Sequence, residues 1–304
     1  MSIVMVIGAA SFVGQWLIPE LAKIHEKIIG VYHNTKPEYR QNNVILVKGD
    51  VTDYESLSNI IKEYRPSIIY NLSGLLSRDC LNNPLLCVRT NALGAANVLE
   101  LARKYDVSFT VHISSVAVFR RGLPEPATDD SPLLLPLDPY GATKIFIDSL
   151  TNIYFNTYGM KCVTLRYGWI FGPGRRTGGT AFANELIEKA LKGEPVKVPR
   201  LTGNWIYIKD VVRSLVEIPT KNIKRSTYII GGENKSTEEV VNILREFVPN
   251  IQVEFIEFGK YDPPYLWVST MDDIAARVEL GWKPQYDIRT AIRDYINYLK
   301  NEMI

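Results

Sequence analysis

Short apolar runs alternate with amphipathic stretches through the first 115 residues, and few architectures accommodate that order. Residues 3–7, 27–32, 44–47, 67–72 and 108–114 read as strands. Residues 12–26, 54–64 and 84–105 read as helices; in the first, Phe12, Trp16, Leu17, Leu21 and Ile24 recur at helical spacing. Strands apolar on both faces belong in a parallel sheet covered by helices on both sides. The second half alternates less regularly. Helices are expected at 139–158, 180–192 and 288–300, with strands at 161–166, 204–208 and 227–230. Ser236 and Glu239 form a capping-box pattern. The proline-rich stretch 120–137 reads as an extended surface excursion.

Composition removes several function classes. The chain has 304 residues, enough for about two domains at ~150 residues each. Lys plus Arg is 35 against 33 for Asp plus Glu, a net charge of +2, so no basic field for nucleic acid is expected. No apolar run is long enough to span a bilayer. The N-terminus enters a strand directly, without the basic region of a secretory leader. Cys80, Cys87 and Cys162 show no CxxC spacing, so neither a disulfide framework nor a zinc site is expected, which fits a reducing cytoplasm. The three histidines are widely separated, and no metal centre is expected.

Three local patterns carry chemistry. Gly8-Ala9-Ala10-Ser11-Phe12-Val13-Gly14 joins the first strand to the first helix: Gly8 for a tight turn, Gly14 for close helix packing, and the helix N-terminus facing a pyrophosphate. Ser11 stands where the middle glycine of such a turn is usual. Tyr140-Gly-Ala-Thr-Lys144 places a phenol and an ammonium on one helical face, where the cation would favour phenolate and fit the phenol for proton transfer at a carbinol. Ser114 and Ser115 end the fifth strand, at the edge where open parallel sheets bind ligands. Taken singly, each has a bland counterpart: a plain strand–turn–helix, a solvated helix face, a pair of turn-forming serines.

Together and in this order, with Gly49-Asp50-Val51 after the third strand, they resemble the extended short-chain dehydrogenases/reductases, in the NAD(P)-dependent epimerase/dehydratase family. Further matching stretches are Asn71-Leu72-Ser73-Gly74, the helix around Asn91, Leu165 to Pro173, Trp205 to Asp210, and Leu280-Gly281-Trp282-Lys283-Pro284. The resemblance implies an α/β fold: a Rossmann-type doubly wound parallel sheet over residues 1–168, also receiving 203–225. A smaller C-terminal α/β substrate-binding domain would occupy 169–304. It implies Ser115, Tyr140 and Lys144 as the catalytic set. Gly8, Ser11, Phe12, Val13, Gly14, Asp50, Val51, Leu72, Ser73, Gly74, Asn91, Ile113, Tyr167, Gly168 and Ile170 would line the dinucleotide, with Asp50 and Val51 at the adenine. Leu75, Ser115, Trp169 and Trp205 would face a small-molecule substrate. A homodimer through the helices at 84–105 and 139–158 is also implied, with Leu93, Val98, Phe146, Ile147 and Tyr154 on that face or in the core.

The second strand ends Tyr32-His33-Asn34-Thr35-Lys36, with no acid before Glu38 to take the ribose hydroxyls. His33, Asn34 and Lys36 are suited to a 2′-phosphate, which favours NADP(H) over NAD(H). Val116 and Ala117 follow Ser115 where the dehydratase subgroup has Asp-Glu, so water elimination lacks its proton donor. What remains is hydride movement at a carbinol carbon of a sugar, as in the nucleotide-sugar 4-epimerases. Trp169 replaces an Asn of those enzymes, and Gly203-Asn204 stand where they carry an Arg. Arg175, Arg176 and Arg200 are substitute clamps for an anionic substrate. The alternatives are an NADP-dependent reductase or dehydrogenase of a 4-keto-sugar nucleotide or of a small hydroxy or amino acid, and a non-enzymatic dinucleotide-sensing regulator.

Overall fold

The computed structural model describes residues 2–257, 259 and 266–302. In chain order the first half forms β1 (Ile3–Ile7), α1 (Phe12–Ala22), β2 (Lys27–Tyr32), β3 (Val44–Lys48), α2 (Tyr54–Tyr64), β4 (Ile68–Asn71), α3 (Ser77–Asn82), α4 (Pro84–Cys87), α5 (Gly94–Lys104) and β5 (Phe109–Ser115). Then follow α6 (Pro139–Tyr158), β6 (Cys162–Tyr167), β7 (Trp169–Phe171), α7 (Phe182–Leu191), β8 (Val196–Pro199), β9 (Thr202–Tyr207), α8 (Ile208–Glu217) and β10 (Thr227–Ile230). The chain closes with β11 (Glu233–Ser236), α9 (Thr237–Arg245), β12 (Val253–Ile256), α10 (Ile274–Leu280) and α11 (Ile288–Glu302).

Seven strands pair in the order β10-β6-β5-β4-β1-β2-β3, every pair parallel. The doubly wound sheet expected from the alternation is therefore present, and its last strand comes from Thr227–Ile230, just beyond the return segment read from the sequence. The order reverses between β1 and β4, and the crevice above their C-terminal ends is where such sheets hold ligands. A three-stranded sheet, β11-β9-β7, and a two-stranded one, β12-β8, complete the molecule. Leu17, Ile18 and Leu21 of α1 are fully buried against the large sheet; each contributes about 1.5–3 kcal/mol of apolar burial. Among the described residues no helix is long and apolar enough to cross a membrane.

The helix α6 begins where the sequence dictates. Asp138 accepts from Gly141 N at 2.9 Å, and Pro139 takes the first helical position, where its missing N–H costs nothing. A Cβ at position 141 would lie 2.7 Å from Ala117 O, so glycine lets this turn press onto the end of β5.

Two expectations fail between β4 and β5. The continuous helix expected at 84–105 is broken: α4 passes through a π-helical turn, Val88–Leu93, into α5, and α3 precedes it. The wider turn carries Asn91 inward, where its side chain holds Leu75 by two hydrogen bonds. Cys80 and Cys87, expected to be free, form a disulfide. The reversal at Asn83-Pro84 brings their Cα atoms to 4.9 Å, a proximity that linear spacing does not reveal.

The stretch 120–137 is strapped down rather than loose. Asp129 Oδ1 accepts from Ile229 N at 2.8 Å and lies 3.5 Å from Arg166 Nη1, while Arg166 Nε donates to Asp148 at 2.7 Å.

Candidate active site

The crevice at the reversal point opens into a cleft of about 500 Å³. On one side lies the turn after β1. Gly8 has φ +89°, and a Cβ there would meet Leu72 and Ser73 backbone atoms at 3.0 Å, so only glycine serves. A Cβ at position 14 would lie 2.6 Å from Gly8 O. Ser11, in place of the middle glycine, caps α1 by accepting from Gly14 N at 3.1 Å. Tyr39, which the sequence reading missed, braces the turn from behind by donating to Ala9 O at 2.7 Å. The remaining N–H groups of the first turn of α1 stay available, the arrangement that holds a phosphate. Ser11, Phe12, Val13, Leu72, Ser73 and Gly74 line the cleft, so the residues present fit a dinucleotide.

On the other side β5 and α6 converge. Ser115 and Tyr140 share a side-chain hydrogen bond, and both line the cleft. Lys144 Nζ donates to Ile113 O at 2.7 Å and lies 5.4 Å from the Tyr140 ring centroid. Burial raises the Tyr140 phenol above its ordinary value; the Ser115 bond and the Arg175 charge pull it down, and Asp138 pushes it up. Lys144 stays one helical turn away, over the face of the Tyr140 ring. Its ammonium is committed to a carbonyl below the ring, and burial lowers it to about 8 against the opposing charge of Asp148. Behind this cluster His112 is fully buried, its Nδ1 3.2 Å from Asn71 Nδ2, and desolvation followed by the Lys144 charge drives it down to about 3. It is a neutral imidazole at any physiological pH.

Arg175 lies in the loop after β7. Its Nη1 donates to Ile170 O at 2.6 Å, its Nε is buried without a partner, and burial lowers it only to about 10, so it stays charged. Among the described residues no carboxylate pairs with it. A half-buried cation with an unsatisfied Nε is costly until an anion completes it.

The other expected residues divide. Leu75, Ile113, Tyr167, Gly168, Trp169 and Ile170 line the cleft. Arg176 also lines it, but its side chain is exposed and tied to Glu188 at 2.5 Å. Arg200 lies outside it, bound to Glu238 at 2.7 Å at the outer edge of the small sheet. Trp205 is also outside, a core ring packed on Trp169 and donating to Lys235 O. Asn91 sits behind the lining, holding Leu75. His33, Asn34, Lys36, Asp50 and Val51 lie off the cleft, at the ends of β2 and β3. There His33 Nε2 is 3.4 Å from Asp50, and Val51 O accepts from Asn97. Trp267, Asp79 and Thr180 line the cleft and were not anticipated. Each stands in a stretch whose approach to the cleft depends on tertiary packing; the one local signal was a large aromatic between Leu266 and Val268.

The sequence pattern of the NAD dependent epimerase/dehydratase family matches residues 4–231. A UDP-glucuronate 4-epimerase of Thermodesulfobacterium geofontis is 27% identical over 98% of this chain and 96% of its own. The crystal structure of L-threonine dehydrogenase from Phytophthora infestans superposes with a TM-score of 0.90 at 25% identity, covering 99% of this chain and 100% of the other. That of a Thermus thermophilus UDP-glucose 4-epimerase in complex with NAD superposes at 0.86 and 24% identity, over 98% and 99%. With that pattern matched over residues 4–231, and with a glycine turn at the reversal point of a doubly wound sheet facing a buried serine, tyrosine and lysine, the chain belongs to the NAD-dependent epimerase/dehydratase family of extended short-chain dehydrogenases/reductases.

Proposed function

We propose that the protein catalyses net oxidation or reduction at the carbinol carbon of a small hydroxy acid, with the substrate carboxylate on Arg175. The observation that carries this reading is the half-buried guanidinium beside Tyr140, which has no carboxylate partner among the described residues and whose Nε is buried without a hydrogen bond. One arginine matches one carboxylate in bidentate fashion. A diphosphate would call for further cations, and Arg176 and Arg200 are engaged with Glu188 and Glu238. The similarity to a threonine dehydrogenase structure supports a hydroxy amino acid within that class.

A bound nicotinamide supplies or accepts the hydride. Ser115 orients the substrate oxygen towards Tyr140, whose phenol oxygen takes its proton on oxidation and returns it on reduction. Lys144, fixed by Ile113 O, keeps its other N–H donors at the cleft floor. We take the cofactor to be NADP(H): Lys36, Asn34 and His33 are exposed donors where an acid would select NAD. Residues 1–168 with the returning strand β10 act as the dinucleotide domain. Leu93, Phe146 and Ile153, exposed on neighbouring helices, form a homodimer face, whereas Val98 and Ile147 are core.

A second reading, nucleotide-sugar 4-epimerisation, is supported by the full-length similarity to a UDP-glucuronate 4-epimerase, whose named substrate also bears a carboxylate. Absorbance of the reduced nicotinamide separates the two. Small 3-hydroxy acids and hydroxy amino acids should reduce added NADP in net turnover, with tighter binding of NADP than NAD. Interconversion of UDP-sugars on a retained cofactor, with no net reduction, would contradict the proposal.

A further inference from the structure

Trp267 comes from the last third of the chain, yet it lines the cleft with its ring centroid 6.2 Å from that of Tyr140. Its indole Nε1 donates to Asp138 Oδ2 at 3.0 Å. The other oxygen of the same carboxylate caps α6 through Gly141 N, one residue beyond the tyrosine. Both side chains are buried. The segment is firmly seated. Arg121 N donates to Leu266 O at 2.8 Å, Val268 N to Phe119 O at 3.1 Å, and Ala127 N to Thr270 O at 3.0 Å. Glu125 accepts from Ser269 N and Thr270 N. Trp267 is thus held against the strand exit that leads into the catalytic helix.

We propose that Trp267 and Asp138 are a positioning pair for the Tyr140 phenol: the indole N–H occupies the outer oxygen of the capping carboxylate, so that the carboxylate fixes the first turn of α6 without delivering its full negative charge to the tyrosine. The proposal rests on the reading of Tyr140 as the proton-transfer group. An ionised carboxylate buried two residues from a phenol opposes phenolate, and donated hydrogen bonds disperse that charge. Asp138 is indeed among the groups that raise the phenol. The other groups facing Tyr140 are Ser115 from β5, Lys144 from α6 and Arg175 from the loop after β7. Asp79 of α3 stands on the cleft wall, His112 lies behind Lys144, and Arg120 is bridged to Trp267.

Trp267→Phe keeps a ring and removes the donor. Asp138→Asn keeps a good helix cap and removes the charge. Ligand-free protein carrying 13Cζ-labelled tyrosine is titrated by NMR, with Tyr140→Phe identifying the Tyr140 signal. Trp267→Phe should move its midpoint up and Asp138→Asn should move it down, each by about one unit. The double variant should follow Asp138→Asn. The ascending limb of kcat/KM in the oxidation direction should shift in the same two directions. Midpoints that stay in place, or move the same way in both variants, would overturn the pairing. The titration needs no turnover, so an error in the assigned reaction would appear separately, as opposite NMR shifts without matching kinetics.

Discussion

Ser115 and Arg175 both act on the Tyr140 phenol, one by a hydrogen bond and one by charge, and they should fail differently when removed. Ser115→Ala leaves the phenol in place and deletes one orienting contact. Turnover should fall by roughly 10- to 100-fold with dinucleotide binding unchanged, below the usual span for loss of a full acid–base group. Arg175→Ala removes charge-assisted hydrogen bonds of about 1.5–3 kcal/mol each, so KM for a carboxylate substrate should rise about 10- to 150-fold while kcat changes less. Equal KM values for the variant and the parent would show that the substrate anion lies elsewhere. At this scale the sequence was readable where chemistry is local. The glycine turn and the spacing from Tyr140 to Lys144 each lie within a few residues, and both hold. It misled where direction matters: Trp205, in the same apolar strand as Ile206, turns into the core. Three arginines looked equivalent as anion clamps, and only packing distinguishes the half-buried Arg175, without a carboxylate partner, from the exposed and paired Arg176 and Arg200.

Among the elements, the strap at 120–137 is the one that solution conditions should move. Two buried carboxylates, Asp129 and Asp148, face one guanidinium, and Asp129 Oδ2 has no partner. Burial therefore holds the Asp129 carboxyl up at about 7, against the lowering effect of Arg166. The folded state binds this proton more tightly than the unfolded chain does. The associated stability is complete below the ordinary aspartate range and is lost as pH rises through about 7. Asp129→Asn should remove that dependence: the Tm difference between parent and variant should shift against the parent from pH 5 to pH 8. A difference constant with pH would refute the assignment. The sequence marked this stretch as extended, because prolines disfavour regular structure. It could not show the anchor, since Arg166 lies within an apolar strand and its partners are 18 and 37 residues away. The same limit explains the π-helical turn at Val88–Leu93 and the Cys80–Cys87 disulfide. Both depend on a reversal at Asn83-Pro84 inside what reads as one continuous helical pattern.

For the whole molecule, the order of strands and helices was legible because periods of 2 and 3.6 are imposed by burial on the two kinds of element. Of the small sheets, strands at 204–208 and 252–258 were legible and correspond to β9 and β12, whereas β8 and β11, four residues each, were not. The π-helical turn before α5 leaves Leu93 exposed, and α6 leaves Phe146 and Ile153 exposed, at 43–47%. Light scattering should give twice the 34.5 kDa chain mass, and Phe146→Glu should halve it without unfolding the protein. A parent protein already at the single-chain mass would remove this face as a dimer contact.

The central claim is that the Tyr140 phenol moves the proton at the carbon that exchanges hydride with the nicotinamide. Its most direct measurement is Tyr140→Phe, titrated with dinucleotide and assayed with the substrate that the parent turns over. The account predicts an unchanged dissociation constant for the dinucleotide and a loss of kcat of about 10²-fold or more. Turnover within a few-fold of the parent would contradict it.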